Sequence, residues 1–290
     1  MASRRSVSVS LCASFLFAVG GCTQGGKAIQ NTGSDTMVNL AQAWAEEYAK
    51  THPDVMVQVN GGGSGVGIAA LESGMVDIAN SSRPMKPKER ETAKAKTGKE
   101  PKETVAGFDA LAVYVHKDNP MESISIEELA EIYGDGGESA NWSDVGVKNG
   151  SPQDDEIIRV SRQSSSGTYV YFREAILGEK RDYKQGSRDM NGSNDVVELV
   201  GRTRGAIGYS GMAYKTDAVK YLKVSKKKGE PGILPAIATV LDKTYPIARP
   251  LYLYTLGEPE GHVKEYMDWI LSTPGQAVIE KTGYVPLPKK

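Results

Sequence analysis

The segment S-R-Q-S-S-S-G-T-Y-V-Y, residues 161–171, joins a short apolar run to an amphipathic pattern. The run over 156–160 predicts a strand, and the pattern after the segment predicts a helix. One hydroxyl is enough to cap a helix. Here four consecutive residues that can donate hydrogen bonds stand shortly after Arg162: Ser165, Ser166, Gly167 and Thr168. Backbone N–H groups at a helix start, short hydroxyls and a guanidinium together predict a pocket for an oxyanion.

Three further donor loops stand in the first third of the chain. They are G-S-D-T at 33–36, G-G-G-S-G at 61–65 and N-S-S-R at 80–83. The last follows a strand-like run over 76–79, and Ser34 or Asp35 is the expected N-cap of a helix over 36–50. One such loop alone is typical of a turn. Because parallel α/β sheets bind ligands at the carboxyl ends of their strands, the loops together favour a single site.

Two long extended runs, near 105–116 and 246–254, bracket the middle of the chain. If both cross between domains, lobe 1 is discontinuous and consists of residues 30–115 with 247–290, and lobe 2 consists of residues 116–246. The sequence therefore predicts an α/β protein with two mixed sheets flanked by helices and joined by a two-strand hinge. Such lobes can close on a ligand in the cleft between them, and 290 residues are enough for two cores.

Residues 1–22 have the pattern of an export signal, with two arginines ahead of an apolar stretch. Small residues directly before Cys22 resemble a bacterial lipobox, in which this cysteine becomes the lipid-bearing first residue. Residues 23–29 would then be a tether, and the alternative is an ordinary signal peptide with a leftover thiol. Since Cys12 lies inside the signal, the mature chain would hold no disulfide.

Charge and motif content argue against several classes of function. The formal net charge of −1, or −3 without the signal, is unlike the basic faces that bind nucleic acid. His52, His116 and His262 have no metal-ligand spacing, and no P-loop or G-x-S-x-G motif is present. Residues 65–70 match a dinucleotide fingerprint, but the acidic residue expected about 20 positions later is replaced by Ser81. We therefore expect no catalytic residues, no metal and no cofactor.

Taken together, the donor motifs resemble the periplasmic phosphate-binding proteins of the ABC phosphate-uptake system over nearly all of residues 30–290. S-R-x-x-S-S-G-T is the most specific of them, and G-S-D-T, G-G-G-S-G, V-D-I-A-N-S-S-R, G-A-I-G-Y and P-I-A-R-P-L-Y occur in the expected order. The resemblance implies a two-lobed, type II binding protein that buries phosphate in its cleft. It also implies delivery to the membrane permease of an ABC importer, and export to the periplasm or the outer face of the cell membrane, where we expect a monomer.

The resemblance also implies which residues bind phosphate. Carried over by position, the binding residues are Ser34, Asp35, Thr36, Met37 through its amide, Ser64, Ser82, Arg162, Ser166, Gly167 and Thr168. A second group of neighbours comprises Gly63, Gly65, Ser81, Arg83 and Ser165.

One departure from the family pattern concerns selectivity. Many family members have Ser-Asp where this chain has Ser81-Ser82, and that Asp accepts the proton that phosphate carries and sulfate lacks. Asp35 could take this role instead of capping a helix, or Arg83 could add positive charge and loosen selectivity. A receptor for sulfate, molybdate or tungstate therefore stays open, as does an anchored sensing or adhesion protein with the same fold.

Overall fold

The computed structural model describes residues 27–288. The predicted export signal, 1–22, and its Cys22 lie outside these residues, as does the first part of the predicted tether, 23–29. The last three tether positions differ from the expectation, because they begin a strand and pair with residues 55–57. Across residues 27–288, no helix combines the length and the apolar character needed to cross a membrane.

Strands and helices alternate along the described chain. The strands are β1 (Lys27–Gly33), β2 (Val55–Asn60), β3 (Ile78–Ser81), β4 (Pro101–His116), β5 (Ser123–Ser125), β6 (Ile158–Arg162), β7 (Arg188–Met190), β8 (Ala206–Gly211), β9 (Val219–Tyr221), β10 (Lys223–Ser225) and β11 (Ala248–Leu256). The α-helices are α1 (Val38–Ala49), α2 (Ser64–Glu72), α3 (Pro87–Thr97), α4 (Ile126–Tyr133), α5 (Gly167–Phe172), α6 (Ser193–Gly201), α7 (Ile237–Leu241), α8 (Gly261–Leu271) and α9 (Thr273–Lys281). A π-helical turn, Arg173–Leu177, extends α5.

The long strand β4 links two half-sheets. Its first part pairs with β11 in the order β2-β1-β3-β11-β4, and its last part, from Leu111, pairs with β8 in the order β4-β8-β6-β7. In each half-sheet parallel strands are joined to antiparallel ones, so both are mixed as predicted. We call the part built on the first half-sheet the first lobe and the part built on the second the second lobe. The two half-sheets are thus continuous through one strand.

The helix after β1 begins later than the sequence suggests. Its predicted apolar face is buried, with Trp44 donating from its indole nitrogen to the Gly275 carbonyl at 2.9 Å. However, neither Ser34 nor Asp35 caps it, because α1 starts at Val38 and no side chain caps its first turn. The N-cap expectation for Asp35 is wrong since its carboxylate is held elsewhere, by the Gly62 amide and by Arg162.

Other boundaries move by a few residues, each for a local reason. The lysine- and glutamate-rich stretch 86–103, whose composition suggests one exposed helix, is divided, because Gly98 adopts a left-handed φ of +72° that ends α3 before Pro101 starts β4. The strands β3, β6 and β11 each lie two residues later than their apolar runs suggest. In β3 and β6 the polar last residues, Ser81 and Arg162, are buried and continue the pairing, so hydrophobicity alone marks these two ends too early.

This topology brings the donor loops together. β1 and β3 are parallel neighbours and end at Gly33 and Ser81, so the loops after them lie at the same edge of the first half-sheet. β6 ends at Arg162 and is parallel to β7 and β8 in the second half-sheet. Residues 163–168 therefore face the loops of the first lobe across the space between the lobes.

Candidate functional site

Hydroxyl groups from both lobes meet in one buried cluster. The Oγ1 atoms of Thr36 and Thr168, from the first and second lobes, are 2.7 Å apart. Ser34 Oγ donates to Ser82 Oγ at 3.0 Å, and Ser64 Oγ lies 3.4 Å from Ser82 Oγ. All five side chains are buried although they are polar. We refer to these five hydroxyls as the hydroxyl cluster.

Gly167 lets the second lobe approach the first this closely. A Cβ atom at this position would lie 2.4 Å from Ser64 Oγ and 2.7 Å from Ser82 Oγ, far inside the contact distance. Gly167 is the first residue of α5 and has no left-handed φ, so its backbone conformation does not require glycine. The absence of a side chain is needed for contact between the lobes and not for the local fold.

Arg162 brings a positive charge to Asp35, the residue between Ser34 and Thr36 of the cluster. Its guanidinium is fully buried and donates from Nη1 to Ser193 Oγ at 3.0 Å and from Nη2 to the Asn191 carbonyl at 2.8 Å. Burial lowers the pKa of the Arg162 guanidinium, and Asp35 opposes that change. Because the ordinary pKa of arginine is very high, the guanidinium stays charged at neutral pH. Among residues 27–288, its Nε–H has no hydrogen-bond partner.

Asp35 forms an ion pair between the lobes. Its Oδ2 accepts from Arg162 Nη2 at 3.1 Å, and its Oδ1 accepts from the Gly62 amide at 2.8 Å. The side chain is 19% exposed, so one side of the carboxylate is in contact with solvent. Asp35 therefore places a negative charge directly beside the cation of the second lobe.

A second buried ion pair, which the motifs did not identify as part of the site, lies where the chain passes between the lobes. Arg249 on β11 is directly opposite Asp109 on β4, with Nη2 and Oδ2 2.9 Å apart and almost no exposure of either side chain. Burial raises the pKa of the Asp109 carboxyl, and Arg249 opposes that rise. A signal was present in the sequence, since each of the two long apolar runs contains one charged residue of opposite sign.

Some of the predicted binding groups are engaged locally instead. The Met37 amide donates to the Ser34 carbonyl at 2.9 Å, and Ser81 Oγ donates to the Arg83 carbonyl at 2.7 Å. The Arg83 guanidinium forms a two-pronged ion pair with Glu89 at 2.7 and 2.8 Å. These three groups have local contacts in place of contacts with the hydroxyl cluster, although the Arg83 Nε–H has no partner within residues 27–288.

The remaining predicted residues line the contact between the lobes. The Gly65 amide donates to the Ser165 carbonyl at 2.9 Å, and Ser165 Oγ donates to the Gly62 carbonyl at 3.4 Å. Gly63 also lies against Ser165, because a Cβ atom on it would be 2.7 Å from that carbonyl oxygen. Ser166 Oγ accepts from the Thr168 amide at 3.1 Å and caps α5. Within residues 27–288, no group of three or more His, Cys, Asp or Glu side chains could hold a metal ion.

Comparison with known proteins agrees with this architecture. Residues 20–274 match a family model described as a PBP superfamily domain. The phosphate-binding protein PstS of Pseudomonas aeruginosa is 35% identical over 272 residues, which cover 90% of this chain and 84% of that protein.

Solved structures give the same result at the level of the fold. A phosphate ABC transporter substrate-binding protein from Clostridium perfringens, solved with bound phosphate, superposes with a TM-score of 0.79 at 27% identity, covering 90% of this chain and all of that one. An ABC-type phosphate transport receptor from Vibrio cholerae gives 0.70 at 26% identity, covering 89% of this chain and all of that one. The predicted two-lobed, type II fold is confirmed, and the chain belongs to the PBP superfamily and, within it, to the family of PstS phosphate-binding proteins.

Proposed function

We propose that this protein captures inorganic phosphate between its lobes and delivers it to an ABC importer, as a substrate-binding protein and not as an enzyme. The observation that carries the proposal is the hydroxyl cluster, in which segments far apart in sequence contribute buried donors beside Arg162. The related proteins named as phosphate-binding or phosphate-transport proteins support the choice of anion.

The energetics of anion burial explain why several donors are needed. Moving an isolated anion out of water costs tens of kcal/mol in an idealised apolar medium, so its hydration must be replaced by protein donors. Charge-assisted hydrogen bonds contribute about 1.5–3 kcal/mol each, and micromolar affinity corresponds to about 8 kcal/mol. The candidate donors are the five hydroxyls and the Arg162 Nε–H, which has no partner within residues 27–288.

We propose that the phosphate ligands come from both lobes, so that binding and closure are coupled. The proposed ligands are Ser34, Thr36, Ser64, Ser82, Arg162, Gly167 and Thr168, with Asp35 and Ser166 supporting them. Residues 30–115 with 247–290 would move as one lobe against residues 116–246. Export and a lipid anchor on Cys22 are part of the proposal and rest on the sequence of residues 1–22 alone.

Asp35 is expected to set the preference between phosphate and sulfate. Its carboxylate lies 3.1 Å from Arg162, so it offsets the positive charge at this end of the site. Asp35→Asn removes the negative charge and weakens an acceptor for the phosphate proton, which favours a fully ionised anion. We expect the sulfate-to-phosphate affinity ratio to rise several-fold, measured by calorimetry with both anions. An unchanged ratio would assign the discrimination to another group.

The proposed function is tested by titrating the chain without residues 1–22 with phosphate, sulfate, molybdate and tungstate in a calorimeter. We expect phosphate to bind with at least micromolar affinity and the other anions to bind more weakly. If sulfate, molybdate or tungstate bound more tightly than phosphate, that anion would be assigned as the ligand instead. If none of the four anions produced binding heat or raised the melting temperature, the proposal would be overturned.

A further inference from the structure

We infer that Arg249 is a positioning residue that orients one hydroxyl from each lobe, Thr36 and Thr168, so that both donate to the bound anion. The inference rests on the proposed function, because it assigns a role in the same site. It concerns a residue on the strand that passes between the lobes, and its role is distinct from that of Arg162.

The contacts of Arg249 reach three segments of the proposed site. Its Nη2 donates to Thr168 Oγ1 at 3.0 Å and to Thr36 Oγ1 at 3.4 Å. Its Nη1 donates to the main-chain carbonyl of Ser82 at 3.2 Å. A single guanidinium is therefore bonded to the loops after β1, β3 and β6 at the same time.

The chemistry of these groups fixes the direction of the hydroxyl protons. A guanidinium only donates hydrogen bonds, whereas a threonine hydroxyl has one proton to donate and two lone pairs with which to accept. When Thr36 and Thr168 accept from Arg249, their own protons are directed towards other acceptors. In the structure one of these two protons lies in the 2.7 Å hydrogen bond between the Thr36 and Thr168 hydroxyls. An oxyanion is a pure acceptor, so its binding can replace that bond and take both protons, and the nearby positive charge strengthens both new bonds.

Arg249 is itself held firmly at the passage between the lobes. Asp109 Oδ2 accepts from its Nη2 at 2.9 Å and from its Nε at 3.3 Å. The Tyr171 ring lies 5.4 Å from its guanidinium carbon, a distance typical of a cation–π contact. Arg249 and Asp109 are adjacent to Leu111, where β4 changes its partner from β11 to β8. The guanidinium thus has a fixed position from which it contacts both lobes.

A purely structural ion pair is the competing interpretation, and the experiment must separate the two. Arg249→Met alone would leave the Asp109 charge buried without a partner, which is strongly destabilising. The pair is therefore neutralised together in Asp109→Asn/Arg249→Met. Asparagine is chosen because it keeps the shape of the aspartate side chain, whose carboxylate lies against Gly211, where an added Cβ atom would be 3.0 Å from Oδ1.

Phosphate affinity is measured by calorimetry for this double variant in two backgrounds, the wild-type chain and Thr168→Val. In the wild-type background we expect the double variant to lose about tenfold in phosphate affinity. In the Thr168→Val background we expect a loss of less than about threefold, because the Thr168 hydroxyl, one of the two that Arg249 orients, is then missing. Equal losses of phosphate affinity in both backgrounds, or no loss in either, would overturn the inference. Such a result would not affect the proposed function as long as the wild type binds phosphate. If wild type binds no phosphate, the proposed function itself fails.

Should the double variant not fold, Arg249→Lys provides the second measurement. Lysine keeps the positive charge beside Asp109 but cannot bond two hydroxyls and a carbonyl from one planar group. We expect it to retain the melting temperature within a few degrees and to lose phosphate affinity, again less in the Thr168→Val background. Wild-type affinity in Arg249→Lys would show that only the charge is needed and would contradict orientation of the hydroxyls.

Discussion

Arg162→Ala should weaken phosphate binding by about 100-fold or more and leave the protein folded. Arg162 is the fully buried cation of the second lobe, and its Nε–H has no partner among the described residues. A lost charge-assisted hydrogen bond corresponds to as much as about 3 kcal/mol, and each 1.4 kcal/mol is a factor of about ten. Since Asp35 is partly exposed and keeps its bond from the Gly62 amide, its charge is not stranded in the interior.

The measurement is calorimetry with phosphate, accompanied by the melting temperature without it. Arg202→Ala is the matched control, because Arg202 follows α6 in the same lobe and forms an exposed ion pair with Glu198, a class of contact that contributes little. The control should bind as wild type does. Arg162→Ala binding phosphate within threefold of wild type would remove the guanidinium from the site.

Much of the candidate site could be predicted because each contributing loop holds several of its residues side by side in sequence. The loops at 33–36 and 162–168 each place several donors directly after a strand. The first lies at an edge of the first half-sheet, and the second faces it from the second half-sheet. Ser82 also stands in a short polar loop that follows a strand, and Ser64 directly follows the loop after another strand. Local composition therefore predicts a binding site well wherever one loop supplies several of the donors that meet in that site.

The parts that could not be predicted depend on pairing between distant strands. Arg249 meets Asp109 only because β11 and β4 are antiparallel in one particular register, which no local pattern specifies. Short-range contacts are equally invisible to the motifs, since the Met37 amide donates to the Ser34 carbonyl and the Arg83 guanidinium pairs with Glu89. Sequence shows which donors are present, whereas the structure shows which of them are already engaged.

Gly167→Ala should reduce phosphate affinity by about 100-fold or more without lowering the stability of the protein. The added methyl carbon would lie 2.4 Å from Ser64 Oγ and 3.0 Å from Ser64 Cβ, and both atoms belong to the other lobe. Within α5, alanine is a better helix former than glycine by about 1 kcal/mol. The added methyl group therefore prevents close contact between the lobes by steric clash, and it does not disturb helix α5.

A second glycine gives the contrast that makes this result interpretable. A Cβ atom on Gly67 would lie 2.4 Å from the Thr32 carbonyl oxygen and 2.6 Å from Gly33 Cα, where α2 packs on β1 inside the first lobe. Gly67→Ala should thus lower the melting temperature, whether or not the lobes are in contact. Gly167→Ala should keep or raise the melting temperature measured without phosphate and lose affinity in the calorimeter. If it bound phosphate within threefold of wild type, close contact between Gly167 and the serines of the first lobe would not be required for binding, and a ligand shell assembled from both lobes would be untenable.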